Sequence, residues 1–390
     1  MIAALSLHTP AVASNRVPAL DLLRGFAALL MVFNHVGYAA LTPAAASQGV
    51  PGALVFLGSF APVLFFFATG VGAGLATRAV SWQSVVDKVL LLLLADQFLR
   101  WSSGATWGLD FFGFIAASLM TAALVLSTPR PVLTALAGAF ALVILRYVVG
   151  KPLDSMLDGY GVMRWLLGVT PLDAVSYPGA PWLVYPLLGV ACGALHRRWG
   201  GNVPARVWWL LAALALLGAA AAMLIAVRGG SFHRWGSVAA AFFALSLVVL
   251  VVFTLLSVGL ERALPRVAAT LSLGGVASFA VVPIHYAFTR GSVVSGHQGA
   301  GYYLMVATGI FLASFWLSKA FDNASQALAA SSWRRCLVVG ALAVIVLAGV
   351  AALSWGRSGA VQPAQLAAAL GQLAIALLFA WRIGPLLAVR

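Results

Sequence analysis

Twelve apolar stretches, each close to the length that crosses a lipid hydrocarbon core, follow one another from residue 18 to residue 382. They cover 18–40, 53–77, 85–101, 109–127, 131–149, 181–196, 205–227, 236–259, 268–289, 302–319, 333–355 and 361–382. A helical span needs ~20 apolar residues. The segments at 85–101, 181–196 and 361–382 meet that length only loosely, so the expected number of spans is ten to twelve. The chain is 63% hydrophobic and 8% charged, against about 25% charged residues in a soluble domain. No soluble core uses this much apolar sequence. An all-α, polytopic bundle embedded in a bilayer does.

The formal net charge of +14 does not signal nucleic acid. No basic run exceeds a pair (Arg197–Arg198, Arg334–Arg335), and the cations stand between apolar stretches. That is the pattern of a topology signal. With the N-terminus on the cytoplasmic side, 14 of the 23 Lys and Arg residues fall at cytoplasmic ends, 8 fall opposite, and Arg24 lies inside the first span. Both termini are therefore expected in the cytoplasm. The expected division is a tail over 1–16 and a single transmembrane domain over 17–390. The longest external connection, 150–180, is expected to carry a short interfacial helix near 160–168. Cys192 and Cys336 lie in apolar segments and imply no disulfide framework.

The first span contains three side chains that lipid does not welcome: Asp21, Arg24 and His35. At ~100° per residue, Arg24 and His35 lie three turns plus about 20° apart, on one helix face and separated by roughly 16 Å along the axis. Asp21 precedes Arg24 by three residues, within pairing reach. A charge at mid-bilayer costs at least ~2.5–3.5 kcal/mol on insertion scales, so such groups are candidates for function. A structural ion pair and a histidine that joins helices by hydrogen bonding is the plainer reading.

The stretch RVPALDLLRGFAALLMVFNHVGY (16–38) resembles the opening helix of the membrane acyltransferase superfamily. That superfamily includes acyltransferase family 3 and the heparan-α-glucosaminide N-acetyltransferase-like proteins. Its pattern of an arginine, ten residues and a histidine is matched by Arg24 and His35. Asp21 and Gly25 match its lead-in. APVLFFFATGVGAGL (61–75), APWLVYPLLGVACGAL (180–195) and LGGVASFAVVPIHYAF (273–288) are similar to later segments, the last carrying His285 behind Pro283. The closely spaced arginines that the family 3 pattern often has near its third span are replaced here by the scattered Arg78, Lys88 and Arg100.

The resemblance implies a membrane acyltransferase. It would take acyl, expected to be acetyl, from cytoplasmic acetyl-CoA and pass it to a glycan or lipid-linked acceptor, as in polysaccharide modification at a bacterial cytoplasmic membrane. His35 would act as general base or as an acyl-accepting nucleophile. Arg24 would stabilise developing charge or grip a donor phosphate, and Asp21 would hold its guanidinium or complement the helix N-terminus. His285 is a second candidate for the catalytic centre. Arg78, Lys88, Arg197 and Arg198 are candidates for the donor phosphates, and Asp110 and Asp173 for the acceptor. No metal is expected, because no His, Cys or carboxylate set has ligand spacing. Asp96 is unpaired by spacing. Gly70, Gly72 and Gly74 read as close helix packing. A proton-coupled transporter using Asp21, Arg24 and His35 is the alternative, although no inverted repeat is visible.

Overall fold

The computed structural model describes residues 17–380 apart from 77–79, 103, 104, 106, 151–165, 167–175, 229–237, 273, 274, 291–298 and 330–333. Arg78, Asp173 and the expected helix near 160–168 fall outside the described residues, apart from Leu166.

The described chain is all-α. Its helices are α1 (Pro18–Ala40), α2 (Gly49–Gly58), α3 (Ala61–Leu75), α4 (Trp82–Ser102), α5 (Phe111–Leu126), α6 (Pro131–Ile144), α7 (Gly179–Trp182), α8 (Val184–Arg198), α9 (Ala205–Val227), α10 (Ala240–Ala263), α11 (Pro265–Leu271), α12 (Gly275–Arg290), α13 (Ala300–Ala329), α14 (Arg334–Arg357) and α15 (Val361–Ala380). A π-helical turn, Leu145–Val149, extends α6. Among the described residues, nine helical stretches are long and apolar enough to cross a membrane; Phe111–Leu126 and Phe279–Thr289 are shorter apolar helices. The fold is a polytopic membrane bundle.

Two expected spans are broken. The apolar run 53–77 divides at Ser59–Phe60 into α2 and α3, with Pro62 in the first turn of α3. Proline suits that position because its missing N–H has no intrahelical partner there. Gly58 makes the corner possible. A Cβ on Gly58 would stand 2.5 Å from Asn34 Cβ and 2.6 Å from the Leu30 carbonyl oxygen of α1. The run 268–289 likewise divides into α11 and α12.

α1 lies inside the bundle, with Leu22, Ala27, Ala28, Val32 and Val36 almost wholly buried. It packs on α3, α10, α12 and α13. α3 and α8 cross in backbone contact. A Cβ on Gly70 would meet the Pro186 carbonyl oxygen at 2.0 Å, and one on Gly189 the Phe67 carbonyl oxygen at 2.2 Å. Gly74 stands in the same way against Val190, and Gly193 against Val71. Two small-xxx-small pairs thus let the helices approach without side chains between them. α9 is the opposite case: Ala222 is its one buried residue, and its other faces present Leu, Trp and Ala outward. One narrow face, with Gly218 and Ala222, is turned inward, Gly218 against Val248 of α10, and the rest of this apolar helix is left open, which suits lipid contact.

Candidate active site

α1 carries the site from end to end. Pro18 and Asp21 form its first turn, the carboxylate complementing the positive end of the helix. Asp21 Oδ1 accepts a hydrogen bond from Arg24 Nη1 at 2.9 Å, with the side chains 12% and 24% exposed. Breaking a mostly buried pair by removing one member costs about 3–5 kcal/mol, because the other charge is left uncompensated. The Arg24 guanidinium also leans on α3, where its Nη2 lies 3.1 Å from the place a Cβ on Gly72 would occupy. Gly72 therefore does not share the role of Gly70 and Gly74. It leaves space for a cation.

His35 lies three turns further along α1. Its Nδ1 is 2.8 Å from Nε2 of His285 on α12, and the rings stack with centroids 5.1 Å apart. The other nitrogen of His285, Nδ1, lies 2.9 Å from the Val281 carbonyl oxygen. A carbonyl can only accept, so His285 Nδ1 carries the hydrogen and donates it. In the neutral pair, His285 Nε2 then accepts from His35 Nδ1–H, and the lone pair of His35 falls on Nε2. The order of partners thus sets both tautomers. Tyr286 completes the group, its ring centroid 5.0 Å from His35 and 4.5 Å from His285.

His35 lines a cleft of ≈ 550 Å³, its open mouth included, together with Asn34 and Met31 of α1, the Gly58–Ser59 corner, Phe65 of α3, Asp110 and Phe111 at the start of α5, Tyr177, and Tyr286 of α12. Asn34 Nδ2 is engaged by the Val55 carbonyl oxygen at 2.8 Å. Burial pushes the Tyr177 phenol well above its ordinary range, so this wall presents a neutral hydroxyl. Asp110 occupies the N-cap position of α5. It is held from α4: its backbone N–H donates to Asp96 Oδ2 at 2.7 Å, and its Oδ2 lies 3.9 Å from Arg100 Nη2.

The structure thus brings His35, His285 and Asp110 together and sets the Asp21–Arg24 pair toward the other end of α1. Arg197 and Arg198 are exposed at the end of α8. Arg197 donates to the Ala76 carbonyl, just past the end of α3. Because α3 and α8 run parallel through their glycine contacts, these arginines share the Arg24 end of the bundle. Lys88 is half-buried in the second turn of α4. Asp96, unpaired by sequence spacing, has a partner across the α4–α5 turn.

Sequence reasoning missed the site role of five residues of this centre. Asn34 and Tyr286 each adjoin a histidine that it did single out, and that adjacency was the available signal. Asp96 and Arg100, one helical turn apart in an apolar stretch, fell under the same rule that exposed Asp21 and Arg24. Tyr177 had no comparable signal.

No curated protein and no solved structure matches the chain. A family model does: Heparan-alpha-glucosaminide N-acetyltransferase, catalytic, over residues 16–225. The matched region contains Asp21, Arg24, His35, Asp96, Arg100, Asp110 and the α3–α8 crossing, and it leaves out His285. It covers more than half of the 390 residues. With the membrane bundle, it supports the N-acetyltransferase branch of the resemblance, and the chain belongs to the heparan-α-glucosaminide N-acetyltransferase catalytic family, a family of membrane acetyltransferases.

Proposed function

We propose that this protein transfers acetyl from acetyl-CoA to the amine of an amino-sugar end on a glycan, with His35 as general base. The observation that carries this reading is the His35–His285–Val281 chain on the wall of the cleft. It presents a fixed lone pair at His35 Nε2 and places a second imidazole behind it to share the positive charge that follows protonation. Asp110 on the same wall suits a cationic amine.

Acetyl-CoA supplies an activated thioester and several phosphate charges. The chain has groups that fit both ends: a half-buried guanidinium at Arg24 and a cleft with a base at His35. His35 Nε2 takes a proton from the acceptor nitrogen as that nitrogen bonds to the acetyl carbon. The imidazolium gives the proton to the departing sulfur as the carbon–sulfur bond breaks. His285 holds the ring in its tautomer throughout. Arg24 meets the donor from the opposite end of α1, with Asp21 orienting its fork. Lys88, Arg198 and Arg78 supply further cations for the donor, and Asp173 is a second acceptor residue. In this reading the Arg24 end faces the cytoplasm of a bacterial cell and the Asp110 end faces outward. Family membership favours transfer chemistry over proton-coupled transport.

The test is acetyl transfer by the purified chain in lipid nanodiscs, from labelled acetyl-CoA to methyl α-glucosaminide, with thermal unfolding followed alongside. Acetyl-CoA should raise the melting temperature by mass action, and the labelled product should form with wild-type protein and not with His35→Ala. Absence of both effects would overturn the reading.

A further inference from the structure

We propose that Asp96 and Arg100 are the positioning residues for the acceptor end of the cleft, acting on a cationic amine through Asp110 and Tyr177. The proposal rests on the acetyltransferase reading for the identity of the acceptor and on α4 for everything else. Neither Asp96 nor Arg100 lines the cleft. Both hold the residues that do.

Asp96 is wholly buried. Its Oδ2 accepts the Asp110 N–H at 2.7 Å, and a Cβ on Gly113 would stand 2.7 Å from the same oxygen. Its Oδ1 has no hydrogen-bond partner among the described residues. A bare helix start can be capped by a neutral Ser or Asn at no such cost, whereas a wholly buried carboxylate with one oxygen unmatched is expensive. The burial of this side chain is therefore best explained by the hold that it takes on the Asp110 N–H.

Arg100 ties the same region together from the next turn of α4. Its Nη2 donates to the Leu109 carbonyl at 2.9 Å and to Ser176 Oγ at 3.2 Å, and lies 3.9 Å from Asp110 Oδ2. The Ser176 N–H in turn donates to the Leu109 carbonyl at 3.0 Å. One guanidinium thus bridges the residue before Asp110 and the residue before Tyr177. The Asp110 carboxylate, held in place by these contacts, suits a cationic amine at the cleft; once its extra proton is lost to solvent, the neutral amine is the nucleophile from which His35 takes one proton. Uncharged hydroxyl acceptors gain nothing from that carboxylate.

The experiment uses full-length protein in nanodiscs carrying Asp96→Asn, Gly113→Ala or Arg100→Lys. Gly113→Ala keeps the carboxylate but displaces it, so it decides the matter if Asp96→Asn does not fold. Binding of methyl α-glucosaminide is measured by calorimetry without donor, stabilisation by acetyl-CoA is measured separately, and kcat and KM follow in the transfer assay. The expected result is an acceptor affinity weakened about tenfold or more with donor stabilisation unchanged, because Asp110 is no longer held in place. In the assay this should raise acceptor KM far more than it lowers kcat, with Arg100→Lys partly retaining function. Unchanged acceptor binding in Asp96→Asn and Gly113→Ala, or equal loss of donor and acceptor, overturns the proposal. Wild-type protein that binds no amino sugar overturns it too. Wild-type protein that binds the amino sugar but forms no product overturns the acetyltransferase reading alone, and the binding data then still decide the role of Asp96.

Discussion

Gly72 on α3 faces Arg24 on α1 so closely that a methyl group at position 72 would stand 3.1 Å from the guanidinium. The contact makes position 72 a lever on Arg24 that leaves every charge in place. Gly72→Ala should push the guanidinium by a few tenths of an ångström and weaken stabilisation by acetyl-CoA a few-fold. Arg24→Lys should weaken it by about tenfold or more, since an ammonium lacks the planar fork of guanidinium. The measurement is the melting temperature of each variant across an acetyl-CoA titration. Full donor affinity in Arg24→Lys would reduce Arg24 to a point charge.

His35→Ala should lower acetyl transfer by about 10²–10⁴-fold, the usual contribution of a general base, with expression and melting temperature near normal. His285→Ala should cost less, because it removes the group that orients His35 and leaves the base itself. Activity above half of wild type in His35→Ala would remove it from the mechanism.

The α3–α8 crossing predicts a sharp contrast between glycines. Gly189→Leu should destabilise the protein by at least about 1–3 kcal/mol, the usual cost of overpacking, because its first carbon already collides with the Phe67 carbonyl oxygen. Gly259→Ala, with nothing within 4 Å of the new carbon, should stay within about 0.5 kcal/mol of wild type. Thermal unfolding in one detergent compares them directly.

Charge reversal at Arg198 or Lys88 should weaken donor binding more than reversal at Arg228. The difference should shrink with added salt, since exposed charges are screened within ~8 Å at physiological ionic strength. Arg197→Glu is a poorer probe, because Arg197 also holds the Ala76 carbonyl at the end of α3. Single cysteines at positions 48 and 200, in a chain lacking Cys192 and Cys336, report sidedness. Labelling of position 48 from the cytoplasm would exchange the donor end for the acceptor end.

The helical bundle and the Asp21–Arg24 pair were legible in the sequence because both depend on local rules: apolar length for the spans and i,i+3 geometry for the pair. Gly70 and Gly74 were legible as packing positions for the same reason. Gly72, one position between them in the alternating run, was not, since only the third dimension shows which helix it faces. The convergence of His285 on His35 joins residues 250 positions apart, and it depends on where α12 begins after the break that the apolar run 268–289 conceals. The break at Ser59–Phe60 had a visible marker in Pro62, a residue suited to the first turn of a helix. The Asp96–Asp110 contact depends on the path of the α4–α5 turn, which no periodicity describes.

The His35–His285 chain ends on the Val281 carbonyl oxygen, an atom that receives a hydrogen bond but has no proton to pass on. Both nitrogens of His285 are committed, one to His35 and one to that carbonyl. Viewed as a wire, the pair is a cul-de-sac. On the proposed reading, a proton loaded onto His35 meets a carbonyl at the end of this chain and returns by the nitrogen at which it arrived. On that same reading, an ending at a carbonyl suits a base placed within a membrane across which a cell holds a proton gradient.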